Sequence, residues 1–206
     1  MHLAARYGQM DMFEMILSEE DNKNPKNRGG ETPFIVACTK GRMNIAIILL
    51  NKSNEFAIDL NIKDRFGRTA FHRACENGHS EIVEMLIKNA SSTNIDLNIK
   101  DRIGCTAFQC ACVNNHSETV KRIMENSAST EIDLNSKINN GWTAFHIACV
   151  RDRTIIVDMM IEQSESLGLD LKAKDNYGKT GYQWAKENGR TAVVNLIQTR
   201  MPHLAV

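Results

Sequence analysis

Apolar residues along this chain come in short paired clusters, each bounded by turn residues. In the stretch 59–89 the first cluster, over 70–76, predicts a short helix closed by Asn77-Gly78, where glycine accepts a left-handed C-cap. The second, from about 80 to 88, predicts another helix with Ile82, Val83 and Leu86 as its apolar stripe. Ahead of both lie an extended piece, Ile58-Asp59-Leu60-Asn61, and a turn at Asp64-Arg65-Phe66-Gly67. Thr69 stands where a hydroxyl can accept from an orphan N–H of the first helical turn. Helices of about three turns or fewer are marginal in water, so such a unit has to lean on another.

The other is one period away. Residues 59–89 return at 96–126, with 59–65 and 96–102 identical. The threonine recurs as Thr32, Thr69, Thr106, Thr143 and Thr180, each 37 residues from the last. The turn glycine keeps step as Gly30, Gly67, Gly104, Gly141 and Gly178, which marks a backbone position wanting positive φ. Pro33 sits at the first helical position, where proline is tolerated. A fixed period of this size marks a repeat array, and the expected fold class is an all-α solenoid of stacked helix-turn-helix units joined by β-turn loops.

The residues Thr69-Ala70-Phe71-His72-Arg73-Ala74-Cys75, Gly78-His79 and Ile82-Val83…Leu86-Ile87 resemble the ankyrin repeat, whose signature is Thr-Pro-Leu-His-x-Ala in a unit of about 33 residues. The resemblance spans essentially the whole chain and implies a single array over 1–206: a partial first repeat over 1–24, then five repeats anchored on the threonines. Two departures stand out. The period of 37 adds residues near 90–94, 128–131 and 165–168, expected to bulge as loops at little cost. Met1-His2-Leu3-Ala4-Ala5 matches the middle of a first helix, so the chain reads as a piece of a longer one.

Individual units vary. Met12, Phe13, Ile16 and Leu17 form the stripe of the first unit, and 21–30 reads as a polar loop. Residues 45–50 are more apolar than one stripe needs; either a wider face is buried or the excess packs on something outside. Gln109 replaces the first-helix histidine in the fourth unit, and Asn115 the inter-helix glycine. The fifth has Asp152-Arg153 where others have Gly-His. The last is polar enough to cap a stack, with 201–206 expected to fray.

Composition narrows the function. Lysine plus arginine equal aspartate plus glutamate at 25 each, which argues against a protein dedicated to nucleic acid. The longest apolar run, 45–50, is far below a membrane span. Cys38, Cys75, Cys112 and Cys149 recur 37 apart and read as small core residues, not a disulfide framework; Cys105, in a turn, is the expected exposed thiol. These features place the chain in the cytoplasm, with the nucleus as the alternative.

No phosphate loop, nucleophile elbow or His-Glu-x-x-His motif is present, so no catalytic, cofactor or metal residues are assigned and the chain reads as non-enzymatic. His72, His146, His79 and His116 recur at repeat positions, where the resemblance implies backbone-bridging roles. It also implies that a partner protein or peptide lies along the concave face, on turn tips and first helices. Mapped here, those residues are Arg65, Phe66, Arg68, Arg102, Ile103, Trp142, Arg151, Tyr177 and Lys179. Aromatic residues and arginine dominate binding hot spots, and a tip needs no aromatic for its fold. Truncating Phe66 or Trp142 is therefore expected to abolish partner capture with stability nearly unchanged. Asn61, Asn98 and Asn135 resemble the asparagines that hydroxylases modify in ankyrin proteins. The expected function is a monomeric protein-interaction scaffold; the alternative is a regulatory segment of a larger enzyme, ion channel or ubiquitin ligase.

Overall fold

The computed structural model describes residues 1–204. Twelve α-helices follow one another as six antiparallel pairs, and no strand occurs among the described residues. The pairs are α1 (His2–Tyr7) with α2 (Met10–Glu19), α3 (Pro33–Thr39) with α4 (Met43–Asn51), and α5 (Ala70–Glu76) with α6 (Ser80–Thr93). Then come α7 (Ala107–Val113) with α8 (Ser117–Ser127), α9 (Ala144–Val150) with α10 (Thr154–Glu162), and α11 (Gly181–Glu187) with α12 (Thr191–Arg200). Odd-numbered helices stack on each other in one layer and even-numbered ones in a second. Ala37, Ala74, Ala111, Ala148 and Ala185 are fully buried along the odd layer, where small side chains allow close helix packing.

Each unit satisfies its backbone partly through its own caps and partly through its neighbour. The threonine hydroxyls cap the odd helices, accepting from Ile35 N–H at 3.3 Å in α3 and from Gln183 N–H at 3.3 Å in α11. Asn61 makes a two-pronged bridge: its Oδ1 accepts from Asp96 N–H at 2.9 Å and its Nδ2 donates to the Asn94 carbonyl at 2.7 Å. Asn24, Asn98 and Asn135 repeat that bridge to Asp59, Asp133 and Asp170. The turn glycines are required twice over. Gly67 has φ +81, and a Cβ there would lie 2.9 Å from the Arg102 backbone nitrogen; at Gly141 the same approach, to Asn176, is 2.6 Å.

The variable positions keep their function by other means. His72 accepts from Thr69 N–H on Nδ1 (3.3 Å), which leaves Nε2–H to donate to the Cys105 carbonyl at 3.1 Å. His146 does the same toward Lys179, and Gln109 substitutes by donating from Nε2 to the Ser136 carbonyl at 2.7 Å. Where His79 and His116 reach back to the Thr39 and Glu76 carbonyls, Arg42, Arg153 and Arg190 reach those of Arg6, Val113 and Val150. Asn115 and Asp152 adopt the left-handed conformation of the glycine they replace, at φ +62 and +57.

Three expectations need correction. The residues added at 90–94 do not bulge as a loop: α6 runs on to Thr93 and closes with Asn94 at φ +54, because Ala90 finds a buried seat. Pro202–Leu204 forms a 3₁₀ turn with Leu204 buried against the stack; the rest of the stretch expected to fray, 205–206, lies outside the described residues. Cys105 is not exposed. All six thiols are buried, and Cys105 turns inward until its Sγ is 3.7 Å from that of Cys110. Burial pushes the Cys38, Cys112 and Cys149 thiols far above the ordinary range, which suits core packing. The apolar run 45–50 is mostly absorbed: Ile45, Ala46, Leu49 and Leu50 are buried and only Ile47 projects.

Burial lowers the affinity of His72 and His146 for a proton, the bonds to Cys105 and Lys179 carbonyls restoring part of it. With the folded value below the unfolded one near 6.5, the unfolded chain binds more protons as pH falls through about 6.5, so stability is lost on acidification in that window. A urea titration should show the midpoint dropping between about pH 7.5 and about pH 5.5, and His72→Gln with His146→Gln should flatten that drop, as Gln109 already fills the role without titrating. An undiminished pH dependence in the double variant would contradict this account. Asp152→Gly should raise stability by about 0.5–1 kcal/mol in the same assay, by removing a Cβ from a left-handed residue.

Candidate functional site

The turns that precede the odd helices form a row of tips over residues 26–31, 63–68, 100–105, 137–142 and 174–179. Backbone bonds zip them together in series: Arg65 N–H to the Gly29 carbonyl (3.0 Å), Arg102 to Phe66 (3.1 Å), Asn139 to Ile103 (3.2 Å) and Asn176 to Asn140 (3.2 Å). Lysine ammonium groups reinforce the row, Lys63, Lys100 and Lys137 each donating to the backbone carbonyl of the lysine 37 residues on. Side chains that face away from this zipper are thereby held in register along the whole array.

Charge is sorted by direction within the tips. Asp64, Asp101 and Asp175 are buried, and each turns Oδ1 onto two N–H groups of its own turn, as Asp64 does with Phe66 (2.8 Å) and Arg68 (3.0 Å). Arg28, Arg65 and Arg102, at one tip position in successive units, are exposed and pair with no carboxylate among the described residues. Lys26, Lys63, Lys100, Lys137 and Lys174 form a second exposed row two residues earlier. The only other carboxylate in the five tips is Glu31, which is half-buried and accepts from Asn27 Nδ2 at 2.8 Å. Sequence reasoning missed the lysine row, although its spacing of 37 was a sufficient signal.

The residues singled out from the sequence divide into free and engaged. Phe66, Ile103 and Tyr177 occupy one tip position and are 60%, 58% and 75% exposed; Arg65, Arg102 and Arg151 are exposed too. Arg68 is tied to Glu76 at 2.5 Å and reaches Asp101 at 3.5 Å, while Arg73 pairs with Asp64 and Glu76. Lys179 pairs with Glu187 at 2.6 Å and its ammonium lies 4.5 Å above the Trp184 ring. Trp142 is half-buried, packed edge-on against Trp184 with ring centroids 5.7 Å apart. Both indoles donate to Asp175 Oδ2, at 3.0 Å from Trp142 and 2.7 Å from Trp184. Burial works against the Asp175 charge, but these donors and the Lys179 and Tyr177 N–H groups outweigh it and hold the carboxyl below its ordinary range. Trp142 thus locks the last two units together, which corrects the expectation that it could be truncated at no cost.

Asn61, Asn98 and Asn135, the candidates for hydroxylation, are the last three members of the bridging row, each with its Nδ2 bonded to the end of its own unit and its Oδ1 to the start of the next. No group of three or more metal-ligating side chains occurs among the described residues. No helix among them is long and apolar enough to cross a membrane.

A two-layered stack of short helix pairs with a zipped row of tips defines a helical-repeat solenoid of the kind that serves as an interaction module. The description "Ankyrin repeats (3 copies)" matches three overlapping stretches, 1–101, 54–136 and 109–202, and the chain belongs to the ankyrin repeat family. No curated protein matches it. Among solved structures it is similar to the crystal structure of an ankyrin repeat domain from Acinetobacter baumannii AYE, at 24% identity and a TM-score of 0.77, covering 97% of this chain and 96% of that one. That likeness concerns the fold.

Trp142→Ala should cost about 2–3 kcal/mol in denaturant unfolding, through lost packing and an orphaned Asp175 oxygen. Phe66→Ala should cost less than about 1 kcal/mol, since its ring meets only the Arg68 and Arg73 guanidinium groups. Equal losses in the two variants would contradict the division between engaged and free tips.

Proposed function

We propose that this chain is a non-enzymatic scaffold that holds a partner polypeptide against the tips and odd helices of the stack. The observation that carries the reading is that Phe66, Ile103 and Tyr177 stay more than half exposed at one tip position, even where Phe66 lies beside Arg68 and Arg73 and Tyr177 packs edge-on against Trp184. Ankyrin repeats are in general protein-interaction modules, and rigid, pre-aligned apolar and arginine side chains meet a partner with little ordering cost. On this reading the chain acts as a monomer, in the cytoplasm or nucleus, without nucleic acid or membrane insertion.

A second reading, a regulatory segment of a larger enzyme, channel or ubiquitin ligase, is favoured by the outer face of the first unit. Met12 is 48% exposed, whereas Ile45, Ile82, Thr119, Ile156 and Val193 at the same repeat position are buried under a neighbouring helix. Met15 and Leu3 extend that uncovered apolar face, which suits a further folded element packed on it.

Affinity capture with the full chain from a native extract separates the surfaces. Phe66→Ala with Tyr177→Ala should lose the captured polypeptide, while Ile155→Ala, on the exposed side of α10, should retain it. Retention by the tip variant would reject the tips as the binding face.

A further inference from the structure

The three arginines at the tips of the second, third and fourth units have no structural task. Their guanidinium groups are exposed and lack carboxylate partners among the described residues, unlike Arg68 and Arg73 beside them. The nearby aspartates cannot neutralise them, because Asp64 and Asp101 spend Oδ1 on backbone N–H groups inside their own turns at 2.8–3.0 Å. Arg65 and Arg102 are fixed in series by the bonds from their backbone N–H groups to the Gly29 and Phe66 carbonyls. Phe66 and Ile103 each follow an arginine directly and are more than half exposed. Such a strip offers alternating cation and apolar contact at a fixed repeat distance.

That distance selects the ligand. Helices packed side by side lie about 8–10 Å apart, which sets the separation of successive tips. A peptide in the extended polyproline-II conformation advances about 3.1 Å per residue with three residues per turn, so every third side chain lies on one face and meets a new tip. We propose that the tips of units two to four bind an extended acidic peptide, with carboxylates three residues apart pairing with Arg28, Arg65 and Arg102 and an aliphatic side chain between them resting on Phe66 and Ile103. This rests on the reading of the tips as the partner-binding face and specifies the partner's chemistry. Nucleic acid suits the site less well: the arginine row stops after three units, where Asn139 and Asn176 take the position, apolar side chains interrupt it, and Lys63, Lys100 and Lys137 of the longer lysine row already donate to backbone carbonyls. Exposed ion pairs strengthen one another only modestly, so the guanidinium–carboxylate contacts supply register and salt dependence more than raw affinity.

The test is fluorescence anisotropy of the full chain with a labelled peptide carrying glutamate at every third position and leucine between. Saturable binding at low salt is expected, weakened about tenfold by Arg28→Gln, Arg65→Gln and Arg102→Gln together, and lost progressively as salt is raised. The same peptide with glutamine for glutamate, or with glutamate at every second position, should bind more weakly. Arg65→Glu with Arg102→Glu should restore binding to a peptide with lysine for glutamate, which shows that the variant is folded and the contact ionic. No saturable binding of the glutamate peptide, indifference to the arginine substitutions, or tighter binding of an oligothymidine of equal charge would overturn the proposal. If the captured partner is lost in the Phe66/Tyr177 variant yet held by the triple arginine variant, the tips remain the binding face and the acidic-peptide inference alone fails. If neither variant affects capture, both fail.

Discussion

Every unit in this protein is too short to finish its own hydrogen bonding, and it passes the unfinished backbone groups to the next unit at a fixed offset. The asparagine bridge is the plainest case. Asn61 ties the end of its own unit, at the Asn94 carbonyl that closes α6, to the first residue of the following one, at Asp96 N–H. Each such exposed bond contributes about 1 kcal/mol or less, whereas a buried one between units, such as His72 Nε2–H to the Cys105 carbonyl at 3.1 Å, costs more than that when left unmade, and these buried links forbid the alternatives. Stacking is therefore compulsory, and stability is shared between neighbours along the array.

The constraint is on donors and reach, not on residue type, which explains how the units diverge. At the position linking α4, α6, α8, α10 and α12 to the odd helix of the preceding unit, histidine and arginine both place an N–H on the same class of carbonyl, at 2.8–3.1 Å. In the capping box, Gln109 offers the acceptor and donor that His72 and His146 supply with two ring nitrogens. The left-handed residue after each odd helix shows the limit: Asn115 and Asp152 adopt that backbone, and both are short polar residues of the kind that tolerate it.

The period, the threonine caps, the turn glycines and the two-helix unit were legible in the sequence because each depends on residues a few positions apart. The ankyrin resemblance rested on the same short-range signals. What was not legible depends on contacts across units. Trp142 and Trp184 belong to different repeats, and nothing local predicts that they share Asp175. Cys105 occupies a turn position that is half-buried in Arg68, Trp142 and Lys179, yet it is covered, because a small side chain there folds back onto Cys110. Phe66, Ile103 and Tyr177 are exposed because their side chains point away from the zipper in each unit. Arg68 and Lys179, one turn nearer the helix, were drawn into ion pairs with Glu76 and Glu187 that lie eight residues on.

Net charge concealed the surface electrostatics for a related reason. A chain with 25 residues of each sign looks neutral, and a neutral composition argues against a polyelectrolyte partner only if charge is mixed over the surface. Here the turns remove their aspartates from the surface by a structural rule: a carboxylate two residues ahead of the tip accepts backbone N–H groups and is buried in doing so. The lysine just before it and the arginine just after it face outward. The same hydrogen bonds that shape a turn therefore give it a positive face. Repetition every 37 residues then extends that local polarity into a stripe along one edge, balanced by exposed acids on the even helices such as Asp11, Glu81, Glu118 and Glu162. The polarity of the array is a consequence of how its turns are capped, so the bonds that shape each turn also set the sign of the surface a partner meets.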